Sequence, residues 1–117
     1  MTRFLRPCLM LMLHREPSHG YQLLSGLDEF GIDPDSIDPS LIYRTLRNLE
    51  NDQMVQSRWG TDSKGPRRRV YSITDSGEEY LAHWINELQH TRASIDSVLE
   101  AFDQLTPRKD GESNDRS

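Results

Sequence analysis

The 117-residue sequence predicts a mainly α fold with a two-stranded β hairpin: three short helices, the hairpin, then one long helix. Three observations predict it. Apolar residues recur at helical spacing in four separate stretches. Pro17, Gly31 and the turn-rich link Ile32–Ile37 separate the first three stretches, and Pro107 follows the last. Only Met54–Trp59 and Arg67–Ile73 read as extended, and a loop at Gly60–Pro66 joins them.

Each element has its own signature. Leu5, Leu9, Met12 and Leu13 place the first helix over Arg3–Arg15, and Pro17 ends it. Ser18 is a good N-cap for a second helix running to Gly31, with Leu23, Leu24, Leu27 and Phe30 as its apolar stripe. Asp38 and Pro39 open the third helix as cap and first turn. Ile42, Leu46 and Leu49 stand at i, i+4 and i+7 and define its buried face; Ser40, Arg44, Arg47 and Asn51 fall opposite, with Tyr43 at the edge. Thr74 caps the last helix, and Asp75, Glu78 and Glu79 suit its positive end. That helix extends to Leu105, before Pro107. Leu81, Ile85, Leu88, Ile95, Leu99 and Phe102 form one seam along it. Trp84, Leu88, Ile95, Val98, Phe102 and Leu105 form an overlapping one. A stripe this long exceeds what so small a head can cover, so it calls for a partner helix. The expected organisation is a head over 1–74, a dimerisation helix over 75–105 and a polar, disordered tail over 106–117.

The charge is unevenly spread. The net charge is −5, but residues 75–117 contribute −6 and residues 1–74 contribute +1. Within 58–69, five basic residues meet one acid. Local clustering, not the net charge, sets the field at a surface. Cys8 is the only cysteine, so no intrachain disulfide is possible, which fits a reducing cytoplasm. The N-terminal apolar run, Cys8–Leu13, is too short for a signal peptide or a membrane span and reads as a buried helix.

Helix, helix, helix, strand, strand, long helix is the order of a winged helix-turn-helix. In that frame the third helix presents Ser40, Tyr43, Arg44 and Arg47 to duplex DNA. The arginines suit guanine edges, and Ser40 and Tyr43 suit phosphates. Lys64, Arg67, Arg68 and Arg69 grip the backbone from the wing. Strand alternation sends Arg67 and Arg69 one way and Arg68 the other, so one of the three pairs with an acid such as Glu50.

The chain resembles the PadR family of bacterial transcriptional regulators. The similarity lies in His19-Gly20-Tyr21-Gln22-Leu23, in Leu41–Glu50, in the wing run Gly65–Tyr71 and in Ile73-Thr74-Asp75-Ser76-Gly77. Ser57-Arg58-Trp59 and the Gly-Pro-Arg-Arg wing are similar to a branch described as poly-β-hydroxybutyrate-responsive repressors. The resemblance implies a homodimer paired through its last helix on an inverted-repeat operator, with repression relieved by a ligand. It also implies a pocket for a small hydrophobic or aromatic effector, which Trp84 would line, against the plainer reading of Trp84 as an interface anchor. One departure stands out: Gln53 occupies the position where the family has glycine, at the junction of third helix and wing.

Other chemistry finds little support. Gly20 reads as a close-packing residue and Tyr21 as an anchor, a structural role favoured over the alternative of a phosphate contact from His19 or Tyr21. His83 and His90 are seven residues apart on one helix, too far to share a metal without further ligands. Asp33, Asp35 and Asp38 lack the glycine and distal glutamate of a calcium loop. No nucleophile elbow, phosphate-binding glycine loop or zinc-protease signature occurs. The sequence therefore predicts no enzyme, no cofactor and no metal. The rival from another class is a winged-helix protein-interaction module, which the −6 charge of residues 75–117 and the low isoelectric point favour and the basic stretch at 58–69 disfavours.

Overall fold

The computed structural model describes residues 4–60 and 67–105. Its elements are α1 (Leu5–Arg15), β1 (Ser18–His19), α2 (Gly20–Gly26), α3 (Pro39–Asn51), β2 (Val55–Trp59), β3 (Arg69–Ile73) and α4 (Asp75–Leu105). Short 3-10 turns cover Leu27–Phe30 and Pro34–Ser36. The expectations for Lys64 and for the 106–117 tail lie outside the described residues.

The core of the head is the sum of the predicted stripes. Leu9, Leu23, Leu27, Ile42, Leu46 and Leu49 are fully enclosed, and Met10 joins them. Removing such side chains from water is the main favourable contribution to folding. Leu81 of α4 is also buried there, at 5 % exposure. That corrects its assignment to the dimer seam: the second turn of α4 faces the chain's own core. Arg6 braces the same region, donating to the Tyr80 hydroxyl at 2.9 Å and lying 3.8 Å from the Asp52 carboxylate.

Two expectations change around residue 18. The hairpin becomes a three-stranded antiparallel sheet in the order β1-β3-β2. Ser18 faces Tyr71 and His19 faces Val70 in this added pairing. Ser18 is thereby held in extended backbone and does not cap α2. His19 does so: its Nδ1 accepts the Gln22 N–H at 3.3 Å, while Gln22 Oε1 accepts the His19 N–H at 2.9 Å. This reciprocal pair satisfies two otherwise orphan donors. The second helix is also shorter than predicted. It gives way at Gly26 to the 3-10 turn, which Gly31 closes at φ 77°.

The junction of α3 and β2 is a full Schellman closure. Met54 N–H donates to Leu49 C=O at 2.9 Å, and Gln53 N–H to Glu50 C=O at 3.0 Å. Gln53 takes the left-handed conformation at φ 65°. The glutamine therefore does what a glycine would do there, with the steric cost of a Cβ. Thr74 locks the next corner: its hydroxyl donates to the Gln53 carbonyl at 2.7 Å and accepts the Gly77 N–H at 3.0 Å.

From Ile85 onward α4 forms a second compact unit. There Ile95, Val98, Leu99, Phe102 and Leu105 are 52–81 % exposed. Among the described residues no helix is long and apolar enough to cross a membrane.

Candidate nucleic-acid interface

The α3 face is built as the periodicity requires. Ile42, Leu46 and Leu49 are fully buried, which leaves Ser40, Tyr43, Arg44 and Arg47 exposed on the other side. Asp38 caps the helix, its carboxylate accepting the Ser40 N–H at 3.0 Å. That hydrogen bond, reinforced by the Ser40 side chain, holds the Asp38 carboxyl below the usual aspartate range. An anionic cap at this terminus competes with a phosphate for the same donor.

Tyr43 leans on α2. A Cβ on Gly20 would collide with its ring, and the Tyr43 hydroxyl would stand 2.9 Å from that Cβ. Gly20 is thus the close-packing residue that the sequence indicated. Tyr21 is not an anchor. It is 64 % exposed, because Gly20, Leu23, Leu24 and Leu27 take the inward face of that turn.

The wing holds its arginines on two faces, as strand alternation requires. Arg67 and Arg69 both lie over the Trp59 ring, at 5.3 and 4.7 Å from its centroid. Arg69 also donates to Ser57 Oγ at 3.0 Å, and Ser57 Oγ donates to Glu50 Oε2 at 2.8 Å. The acid expected near the wing is therefore Glu50, reached through a serine hydroxyl rather than by a direct ion pair. Tyr43, Arg47, Glu50, Arg69 and Tyr71 line a recess of about 320 Å³ between α3 and the wing. Burial pushes the Tyr71 phenol up, so it stays protonated at neutral pH. Arg68 points to the opposite face, where Nη1 lies 3.2 Å from His19 Nε2.

The predicted residues therefore fall into four sets, with Arg69 shared by two of them. Tyr43 and Arg47 meet Arg69 around the recess. Arg67 and Arg69 share Trp59. Arg68 meets His19. Ser40 and Arg44 stand exposed on α3. Trp59, 48 % exposed beside two guanidinium groups, was not among the predicted site residues. The signal for it was present in the sequence, since an aromatic ending one strand stands opposite the basic start of the next.

Trp84 is half-buried and meets Tyr80 edge-to-face, with ring centroids 6.5 Å apart. The α3–wing recess and a second one, lined by Tyr21, Leu24, Ser25, Asp28, Pro34, Asp35, Ile37 and Pro39, do not include it. Cys8 is half-buried against the core, and burial pushes its thiol up.

A three-helix head, a small sheet with an exposed basic wing and a polar, arginine-bearing helix beside it define the winged-helix class of transcription regulators. Residues 9–83 match the family described as the Transcriptional regulator PadR-like family. The chain belongs to that family, one of transcription regulators and not of enzymes. It is 35 % identical over 92 residues to the Mycobacterium tuberculosis protein named "Probable transcriptional regulator Rv1176c", a match covering 78 % of this chain and 49 % of that protein. The chain thus spans about half the length of that relative. It is similar to the crystal structure of a PadR-like transcription factor from Bacteroides fragilis, with a TM-score of 0.69 and 25 % identity over 83 % of this chain and 91 % of that one. A PadR family regulator from Clostridium difficile shares the fold at a TM-score of 0.73 and 18 % identity, covering 82 % and 98 % of the two chains.

Proposed function

We propose that this protein acts as a homodimeric DNA-binding repressor on an inverted-repeat operator. In this reading α3 enters the major groove, where Arg44 and Arg47 donate to base edges. The wing arginines Arg67, Arg68 and Arg69 hold phosphates, joined by Lys64. The apolar seam of α4 pairs two copies: Ile85, Leu88, Ile95, Val98, Leu99 and Phe102, with Trp84 at its start. The pairing sets the spacing between half-sites at about one helical turn of DNA. Repression and its relief by a small hydrophobic or aromatic ligand follow from the family resemblance, as does a cytoplasmic setting.

The observation that carries the reading is the shared exposure of Arg44 and Arg47 on α3 and of the Trp59-stacked Arg67 and Arg69 on the wing. A solvated helix face needs no such partner, whereas two arginine sets on adjoining elements match the phosphates and base edges of one duplex. Titration of a fluorescent duplex at two salt concentrations tests it. Affinity should fall steeply with salt, because each neutralised phosphate releases a counterion. Binding that is indifferent to salt, or no binding, would sink the reading.

A further inference from the structure

His19 and Arg68 face each other at 3.2 Å, and the chemistry of that contact is unusual. A neutral imidazole has one N–H and one acceptor nitrogen. The backbone N–H of Gln22 already points at His19 Nδ1, at 3.3 Å, and the Gln22 side chain completes the reciprocal cap. Nδ1 is therefore the acceptor, and the proton sits on Nε2. Arginine has donors only. The Nε2–H of His19 and the Nη1–H groups of Arg68 are thus two donors 3.2 Å apart, and among the described residues no acceptor is shared between them. The opposite tautomer only moves the conflict to Gln22, where a backbone N–H would face an imidazole N–H.

Burial of the imidazole and the nearby Arg68 charge both push His19 below the ordinary histidine range, so the neutral ring is the form present at pH 7. The added strand explains why the two groups meet. The β1–β3 pairing sets His19 opposite Val70, two residues beyond Arg68 on the wing. The Tyr43 hydroxyl lies over Gly20, the next residue in the chain, so the place adjoins the α3 face. Asp38, by contrast, already holds the Ser40 donor at the α3 terminus.

We infer that His19 and Arg68 form a two-donor clamp for one backbone phosphate of duplex DNA, with a phosphodiester oxygen seated between His19 Nε2–H and the Arg68 guanidinium. The clamp rests on the DNA-binding reading above and adds His19, a capping residue of α2, to the contact surface. The two donors do different work. Arg68 supplies charge and thus counterion release. His19 supplies direction through a neutral hydrogen bond.

That difference gives the test. Asparagine caps a helix as well as histidine does but is too short to place a donor at the Nε2 position. His19→Asn, Arg68→Gln and the double variant are titrated with a fluorescent mixed-sequence duplex of about 30 base pairs over a range of salt, with thermal melts as folding controls. H19N should bind several-fold more weakly than wild type with an unchanged salt slope. R68Q should lose about ten-fold and flatten the slope by about one per half-site. Because both donors serve one phosphate, adding H19N to R68Q should weaken binding by no more than about two-fold. An H19N protein that melts and binds like wild type would leave His19 as a cap alone and overturn the clamp. Losses that multiply in the double variant would assign two separate contacts and overturn it too. Failure of the wild-type chain to bind duplex at all would remove the DNA-binding reading and the clamp together, whereas an indifferent H19N beside a binding wild type removes only the clamp.

Discussion

At the scale of single residues, Gln53 is where the backbone asks for a different side chain. Its φ of 65° lies in the region that glycine enters freely. Both Schellman hydrogen bonds are intact, so the conformation is fixed by α3 on one side and by Thr74 on the other. Gln53→Gly removes the steric cost but adds freedom to the unfolded chain. The expected net gain is about 0.5–1 kcal/mol, read as a higher urea midpoint with an unchanged slope. His19 gives a pH-dependent counterpart. Its folded-state pKa is lowered from 6.5, so the folded chain binds fewer protons there than the unfolded one. The stability that this group contributes is complete above the unfolded value and is lost as pH falls through the folded one. An imidazolium cannot accept the Gln22 N–H, which is the structural side of the same statement. Urea midpoints should drop as pH falls below the ordinary histidine value of about 6.5, and the drop should be smaller in H19N. The arginines divide by partner. Arg44→Ala should cost about 1–3 kcal/mol of discrimination between sites, while Arg68→Ala should weaken all duplexes alike. Equal losses of specific and non-specific affinity in both variants would erase that division.

Among the elements, helix existence and the buried faces were legible, because a 3.6-residue period shows in the sequence before any tertiary contact forms. Ile42, Leu46 and Leu49 are all fully buried, as their spacing required. What escaped were the two residues of β1 and the break at Gly26. A two-residue strand has no period to detect, and Ser18 is equally good as a cap; the pairing with Tyr71 and Val70 decides the matter, and it lies some 50 residues away in the chain. The wing's alternation was readable, but the serine bridge from Arg69 to Glu50 depends on register and was not. Gly77 shows how tertiary approach reverses a local rule. In a helix interior Gly→Ala ordinarily stabilises by up to about 1 kcal/mol. Here an added Cβ would collide with the Met54 carbonyl and stand 2.7 Å from Ile73 Cγ1. Gly77→Ala should therefore destabilise, by about 1–3 kcal/mol, because the obstacle is backbone that the Schellman closure and Thr74 hold in place. A higher melting temperature for G77A would show that this corner yields.

For the molecule as a whole, the long helix has to be accounted for. Residues 85–105 extend for about 30 Å as a helix, and their apolar side chains stand open in the single chain. Most helical stability in proteins comes from burying an apolar face rather than from intrinsic propensity. The 4,3 spacing of Ile85, Leu88, Ile95, Leu99 and Phe102 is the spacing that a second helix buries. Leu88, Ile95 and Phe102 belong to both overlapping seams, so no shift of register can repair their loss, and Ile95 and Phe102 are the two of them that stand exposed. The double variant Ile95→Glu/Phe102→Glu should sediment as a monomer at concentrations where the wild type is dimeric. The head should survive, since its core is built from residues up to Leu81. Thermal unfolding of the wild type should then depend on protein concentration, and that of the variant should not. Duplex affinity should fall by a factor on the order of 100, because the second half-site would no longer be held at high effective concentration beside the first. A variant that remains dimeric would place the contact elsewhere on the chain. A monomer that kept full affinity would mean that one wing and one α3 suffice, which would undo the case for an inverted-repeat operator.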